Sequence, residues 1–211
     1  MLNIIYYNDE KCVICNKKIY DGDLICKECS YKVKRCLQVK KISINKTILN
    51  IYSAAYYSNI IKEMIARLKY KSDFKCGYIL SEYMIDTINN QKIKYDILTY
   101  IPVSRKVMKK RGYNQSEYLA RKISYKYNKQ VIKLLKKVKE TKDQIGLDKE
   151  ERWNNIMGSF IVVNENHIKN KSILIIDDVV TTGATVYCAA LQLLNNGAKN
   201  VTVLTAAKSK I

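Results

Sequence analysis

Ile173-Leu174-Ile175-Ile176-Asp177-Asp178-Val179-Val180-Thr181-Thr182-Gly183-Ala184-Thr185 is the stretch around which the chain is organised. Its four leading aliphatic residues, three of them β-branched, predict a strand buried on both faces, as in a parallel sheet. Two adjacent carboxylates follow at the strand's carboxyl end, the edge where open α/β sheets place their ligands. A short Thr/Gly/Ala loop then leads into the apolar run 186–194, a predicted helix stopped near Gly197. Backbone N–H groups at such a loop and helix start bind phosphate, and the hydroxyls of Thr181, Thr182 and Thr185 add donors. Ionised Asp177 and Asp178 only accept hydrogen bonds, which suits a sugar diol lying beside that phosphate. Together these features predict a ribose 5-phosphate site. No Gly-Lys-Ser/Thr follows, so this is not a Walker A loop. The plainer alternative is a buried strand and a surface turn whose acids cap the helix, but the full strand–acid–acid–Thr/Gly pattern argues against it.

At 211 residues the chain is the size of one domain, or of a domain with a small module. No apolar run approaches the roughly 18 residues of a membrane span. Residues 1–7 lack the basic start and the hydrophobic region of a signal peptide. A cytoplasmic protein without membrane insertion is expected. The formal net charge of +19 suggests a polyanionic partner such as nucleic acid. Lysine, isoleucine, asparagine and tyrosine are abundant while proline and arginine are scarce, so biased codon usage is a competing source of that charge.

Cys12-Val13-Ile14-Cys15 and Cys26-Lys27-Glu28-Cys29 form the second strong signal. In each pair one tight turn aims both thiolates at a single ion, and Asn16 tolerates the left-handed conformation that such knuckles often need. Asp21-Gly22, between two short runs, is a hairpin signal that would bring the knuckles together. The result is a tetrahedral four-sulfur site for structural zinc, with no open position for catalysis. Disulfides are the alternative, and the lack of a secretory signal argues against them. Cys36, Cys76 and Cys188 fall outside this spacing and are expected to be small packed residues. A lysine-rich link at 40–46 closes the module, giving a zinc module at 1–46 and a larger domain at 47–211.

The larger domain opens with a predicted strand at 48–55. Ile60, Ile61, Met64, Ile65 and Leu68 then recur at helical spacing, with Lys62, Glu63, Arg67 and Lys69 on the other face. A further helix is predicted over 76–88. A second buried strand ends at Pro102. Arg105, Lys106, Lys109, Lys110 and Arg111 follow it as a basic loop, ahead of a helix carrying Tyr118, Leu119 and Ile123. Cations at the carboxyl end of a strand form an anion trap, although a solvated basic loop would have the same sequence. Short strands are predicted at 131–135, 160–163 and 201–205. Between the first two, residues 141–155 carry Gln144, Gly146, Arg152 and Trp153 and suit either a lid over a charged substrate or idle surface. His167 sits in a predicted surface turn and is given no role.

In order, these residues resemble the ComF family of bacterial DNA uptake and natural competence, which joins an amino-terminal zinc finger to a type I phosphoribosyltransferase-like domain. The resemblance runs through both Cys pairs, the 60–69 helix, Ile101-Pro102-Val103, Arg111-Gly112-Tyr113-Asn114-Gln115, Gln144 with Arg152 and Asn155, and the 175–185 loop. It implies a three-layer α/β domain with a mostly parallel sheet behind a four-cysteine zinc module. It also implies that Asp177 and Asp178 hold the ribose hydroxyls of phosphoribosyl pyrophosphate (PRPP) as the catalytic acids. Val179, Val180, Thr181, Thr182, Gly183, Ala184 and Thr185 would form the PRPP loop, with the 5-phosphate on 181–185. Val103, Ser104, Arg105 and Lys106, with Arg111, would correspond to the pyrophosphate loop, and Gln144 and Arg152 to the lid. Implied partners are PRPP with Mg²⁺, single-stranded DNA and a competence helicase. Two functions follow: a nucleic-acid-handling accessory that keeps a PRPP-type pocket, or an active transferase displacing pyrophosphate from PRPP.

Overall fold

The computed structural model describes residues 11–19, 23–44, 47–139 and 156–209. The hairpin tip Asp21-Gly22 and the lid candidates Gln144 and Arg152 lie outside the described residues. Helix α1 (Lys27–Tyr31) follows the first knuckle and carries the second, and β1 (Lys40–Ile44) and β2 (Thr47–Tyr56) come next. Helices α2 (Asn59–Lys71) and α3 (Phe74–Asn90) precede β3 (Ile97–Tyr100), α4 (Arg105–Arg111) and α5 (Gln115–Tyr127). Strands β4 (Leu135–Lys137), β5 (Phe160–Val162) and β6 (Ser172–Val180), helix α6 (Ala184–Asn195) and β7 (Asn200–Lys208) complete the order.

The main sheet has the order β1-β2-β7-β6-β3. The pairs β2–β7, β7–β6 and β6–β3 are parallel, and β1 joins the edge antiparallel. Strand β6 explains the layering, because successive side chains of a strand point to opposite faces. Leu174 and Ile176 enter the core shared with α2, α3 and α5, while Ile173 and Ile175 enter the one shared with α6. A sheet covered on both faces is the mixed α/β, mostly parallel architecture expected from the unbroken aliphatic run. Among the described residues no helix is long and apolar enough to cross a membrane.

Four local readings are corrected. The basic stretch after Pro102 is a helix, α4, capped by Ser104 at its start and by left-handed Gly112 (φ 82°) at its end. None of its residues is buried, so it has no apolar stripe for periodicity to detect. The strand expected over 131–135 is regular only from Leu135, because Val131 makes an isolated parallel bridge to Leu98. The second cysteine pair sits on helix α1, with Cys26 as its N-cap. The link at 40–46 contains β1, which pairs with β2 residue for residue from Lys40↔Ile51 to Ile44↔Thr47.

The cysteine segment is fastened to the domain at several points. Val13 and Val33 enter the core of α2 and α3. The Arg67 guanidinium donates to the Val13 carbonyl at 2.5 Å while pairing with Asp73. Arg35 donates to the carbonyls of Ala54 and Tyr83 at 3.1 and 3.0 Å and pairs with Asp86.

Candidate functional site

Asp177 and Asp178 lie within β6, which runs on through them to Val180, and they are only 8% and 5% exposed. Helices on one face of the sheet supply their partners. From α5, the Ser116 hydroxyl donates to Asp177 Oδ1 at 2.9 Å, and the Asp178 N–H donates to the same oxygen at 2.9 Å. From α2, the Lys69 ammonium sits 2.6 Å from Asp178 Oδ2. Burial, and then the neighbouring Asp178, push the Asp177 carboxyl up to about 7 against the lowering effects of Ser116 and Lys69. Burial alone would lower Lys69, but the contact with Asp178, backed by Asp177, holds it above the ordinary lysine value.

The loop after the acids turns at Gly183, whose φ of 97° is in the left-handed region and which caps the start of α6. A Cβ there would stand 2.9 Å from Ile42 Cδ1, so both the conformation and the neighbouring strand β1 demand glycine. Thr182 Oγ1 accepts from the Ala184 N–H at 3.4 Å. From β1, Lys40 Nζ donates to the Thr182 carbonyl at 2.6 Å. Asp177, Val179, Val180, Thr181, Gly183 and Thr185 help to line a niche of about 20 Å³. Asp177 and the threonine loop thus meet at the carboxyl edge of the sheet, where open α/β sheets place their ligands.

Arg-Gly-Tyr-Asn-Gln at 111–115 acts here as a fastener. Asn114 caps α5 by accepting from the Ser116 and Glu117 N–H groups, and its own amide donates to the Ile101 carbonyl at 2.9 Å. Tyr113 donates to the Leu68 carbonyl, and Arg111 to Gln115. These bonds tie the end of β3 to the end of α2, which sets Ser116 and Lys69 against the acids. Of the cations that follow Pro102, Arg105 lines a cavity of about 220 Å³ with Ser104, Lys136, Lys137 and Lys139. Val103 and Lys106 lie beside it in sequence. Arg111 is turned toward Tyr70, its guanidinium carbon 5.6 Å from the ring centre.

The ligand atoms of Cys12, Cys15, Cys26 and Cys29 all lie within 4.8 Å of one another. Asn16 takes the left-handed conformation expected of it, at φ 59°. Burial raises Cys12, but N–H groups led by that of Cys26 pull it down to about 6. Cys29 is pushed up to about 12 by burial and by the neighbouring thiols. Four sulfurs this close cannot all ionise without a cation among them, so the cluster fits a tetrahedral metal ion. Cys36, Cys76 and Cys188 are buried apart from it, and His167 is exposed in a short 3-10 turn. Lys69, Ser116 and Lys40 were missed from sequence, because their roles depend on which strand end each element is packed against.

No protein-family model matches the chain. It is similar to Competence protein F of Haemophilus influenzae, 25% identical over 137 residues, or 62% of this chain and 60% of that protein's length. It is 25% identical to Competence protein ComFC of Bacillus subtilis over 190 residues, covering 88% of this chain and 72% of that one. It is 24% identical to DNA utilization protein YhgH of Escherichia coli K12 over 205 residues, covering 91% and 87%. Among solved structures, the allosteric regulatory enzyme of purine biosynthesis overlaps 62% of this chain and 26% of its own at 16% identity and a TM-score of 0.44. Adenine phosphoribosyltransferase from Thermoanaerobacter pseudethanolicus overlaps 81% and 95% at 12% identity and a TM-score of 0.42. The sequence likenesses cover most of the chain, which is similar to the ComF/ComFC and YhgH proteins.

Proposed function

We propose that this chain is a competence-type accessory protein that handles single-stranded DNA and keeps a PRPP-type ribose 5-phosphate pocket. The observation that carries the pocket is the buried pair Asp177–Asp178, held by Ser116 and Lys69 at the mouth of the Thr181–Gly183 turn. The pair would accept the ribose diol, and the loop N–H groups with Thr181, Thr182 and Thr185 would hold the 5-phosphate. The cavity with Arg105, Lys136 and Lys139 would receive the pyrophosphate. Lys69 already neutralises the acids from within, so the residues suit a magnesium ion carried in on the ligand's pyrophosphate rather than one resident on the carboxylates. Zinc is the ion assigned to the four cysteines, in a structural role. The names of two curated relatives support a role in competence and that of a third a role in DNA utilization; a helicase is the partner proposed for the DNA work. For the DNA itself, Lys32, Lys34, Tyr56 and Tyr57 line a hollow of about 470 Å³, mixing cations with rings on which bases can stack.

Calorimetry of zinc-loaded protein with PRPP and Mg²⁺ tests the pocket: a saturable heat is expected, and none at millimolar PRPP overturns it. The cationic cavity also favours a second reading, an active transferase, since displacement of pyrophosphate needs its charge neutralised. Pyrophosphate released with a defined acceptor would establish that reading. PRPP binding without release would leave the accessory role.

A further inference from the structure

Two carboxylates side by side in a buried site tend to share a proton, and a shared proton removes acceptor capacity. In this protein the charged group placed against the pair comes from outside the loop. Lys69 lies on the last turns of α2, 23% exposed, and its ammonium contacts the side chain of Asp178, which is 7% exposed. It would be one more outward lysine but for its neighbours. Tyr113 bonds the Leu68 carbonyl and Arg67 is clamped to Asp73, so the end of α2 is held on both sides of Lys69. The groups facing the pair are Lys69 from α2 and Ser116 from α5, and the exposed Tyr70 acts on Lys69 alone.

We infer that Lys69 is a positioning residue of the ribose-phosphate site: set against Asp178, it favours the ionised form of the acid pair, which accepts a sugar diol. This rests on the reading of Asp177 and Asp178 as diol acceptors. Without the ammonium, repulsion between the acids is relieved by protonation, and the pair titrates as a unit at higher pH. Burial has already moved Asp177 up to about 7, so a further rise would leave the pair largely protonated at neutral pH.

The test uses full-length, zinc-loaded protein and two variants, Lys69→Met and Lys69→Arg. PRPP affinity is measured by calorimetry from pH 6 to 9. The aspartate carboxyl carbons are titrated by NMR in parallel, without ligand. Loss of an opposite charge at contact distance moves a carboxyl titration by about one unit or more. Lys69→Met should therefore bind roughly five- to tenfold more weakly at pH 7 and approach wild type near pH 9, with the carboxyl midpoint moved up. Lys69→Arg should follow the wild-type profile. A Lys69→Met affinity curve parallel to wild type at every pH would show a merely structural support and overturn the inference. So would an unmoved carboxyl titration. If the titration moves but wild-type protein binds no PRPP, the pocket reading falls and this positioning role falls with it.

Discussion

Asp177 is the residue at which stability and function pull in opposite directions. Its carboxyl is held up to about 7 by burial and by Asp178, against about 3.9 in an unfolded chain. The folded state therefore binds that proton more tightly than the unfolded state. Stability from this group is fully present below about pH 4 and declines as pH rises toward about 7, above which it levels off. Asp177→Asn should flatten the melting temperature across this window and melt higher than wild type at neutral pH, while losing PRPP. A melting profile that keeps its slope in the variant would place the titration elsewhere. Gly183 gives a second prediction at this scale. Gly183→Ala should lower stability by about 1–2 kcal/mol from the left-handed conformation alone, and contact with Ile42 adds to it. Chemical denaturation would measure the loss. The acids, threonines and glycine of this loop were all legible in the sequence, because their neighbours in sequence complete the pattern. Lys69 was not, since helical spacing placed it among outward cations and only packing against β6 turned it inward.

At the scale of elements, the strands with unbroken aliphatic runs and the helices with apolar stripes were legible. Those without such signals were not: α4 presents no buried face, α1 is five residues long, and β1 opens with two lysines at a sheet edge. Edge strands carry such charges to discourage further pairing, which makes them resemble links. The cysteine segment is an element whose order depends on its ion, because metal binding supplies much of a small module's folding energy. Cys26→Ser removes a sulfur but leaves a hydroxyl that can still cap α1, so what it tests is the metal. The variant should lose its metal and become protease-sensitive ahead of β1, while the α/β domain still melts cooperatively. Metal analysis and limited proteolysis would check this, and freshly reduced wild-type protein without metal would contradict it. Arg67→Ala should give a milder form of the same loosening, since it frees the Val13 carbonyl and leaves the sulfurs in place.

Across the whole molecule, the charge of +19 acquires a location as well as a sign. Arg105, from the stretch after Pro102, and Lys136, Lys137 and Lys139, distant in sequence, meet around one cavity. That meeting could not be seen in the sequence, because it needs β4 to fold back beside the end of β3. If this surface extends the Lys32–Lys34 hollow so that single-stranded DNA is guided over about 6 phosphates, log affinity should fall with log salt at a slope near −4, at roughly −0.7 per contact. Exchanging Lys136 and Lys137 for glutamate should flatten that slope, and binding that ignores salt would contradict the electrostatic account. The central claim remains the diol-and-phosphate pocket, and it is tested most directly by PRPP calorimetry on wild type and Asp178→Asn, with melting as a control for folding. A hydrogen bond to a charged group contributes about 1.5–3 kcal/mol, so the substitution should weaken PRPP roughly ten- to a hundredfold. Inorganic phosphate, which meets the loop but not the acids, should compete weakly with both proteins. Equal PRPP affinities for folded wild type and Asp178→Asn would contradict the account.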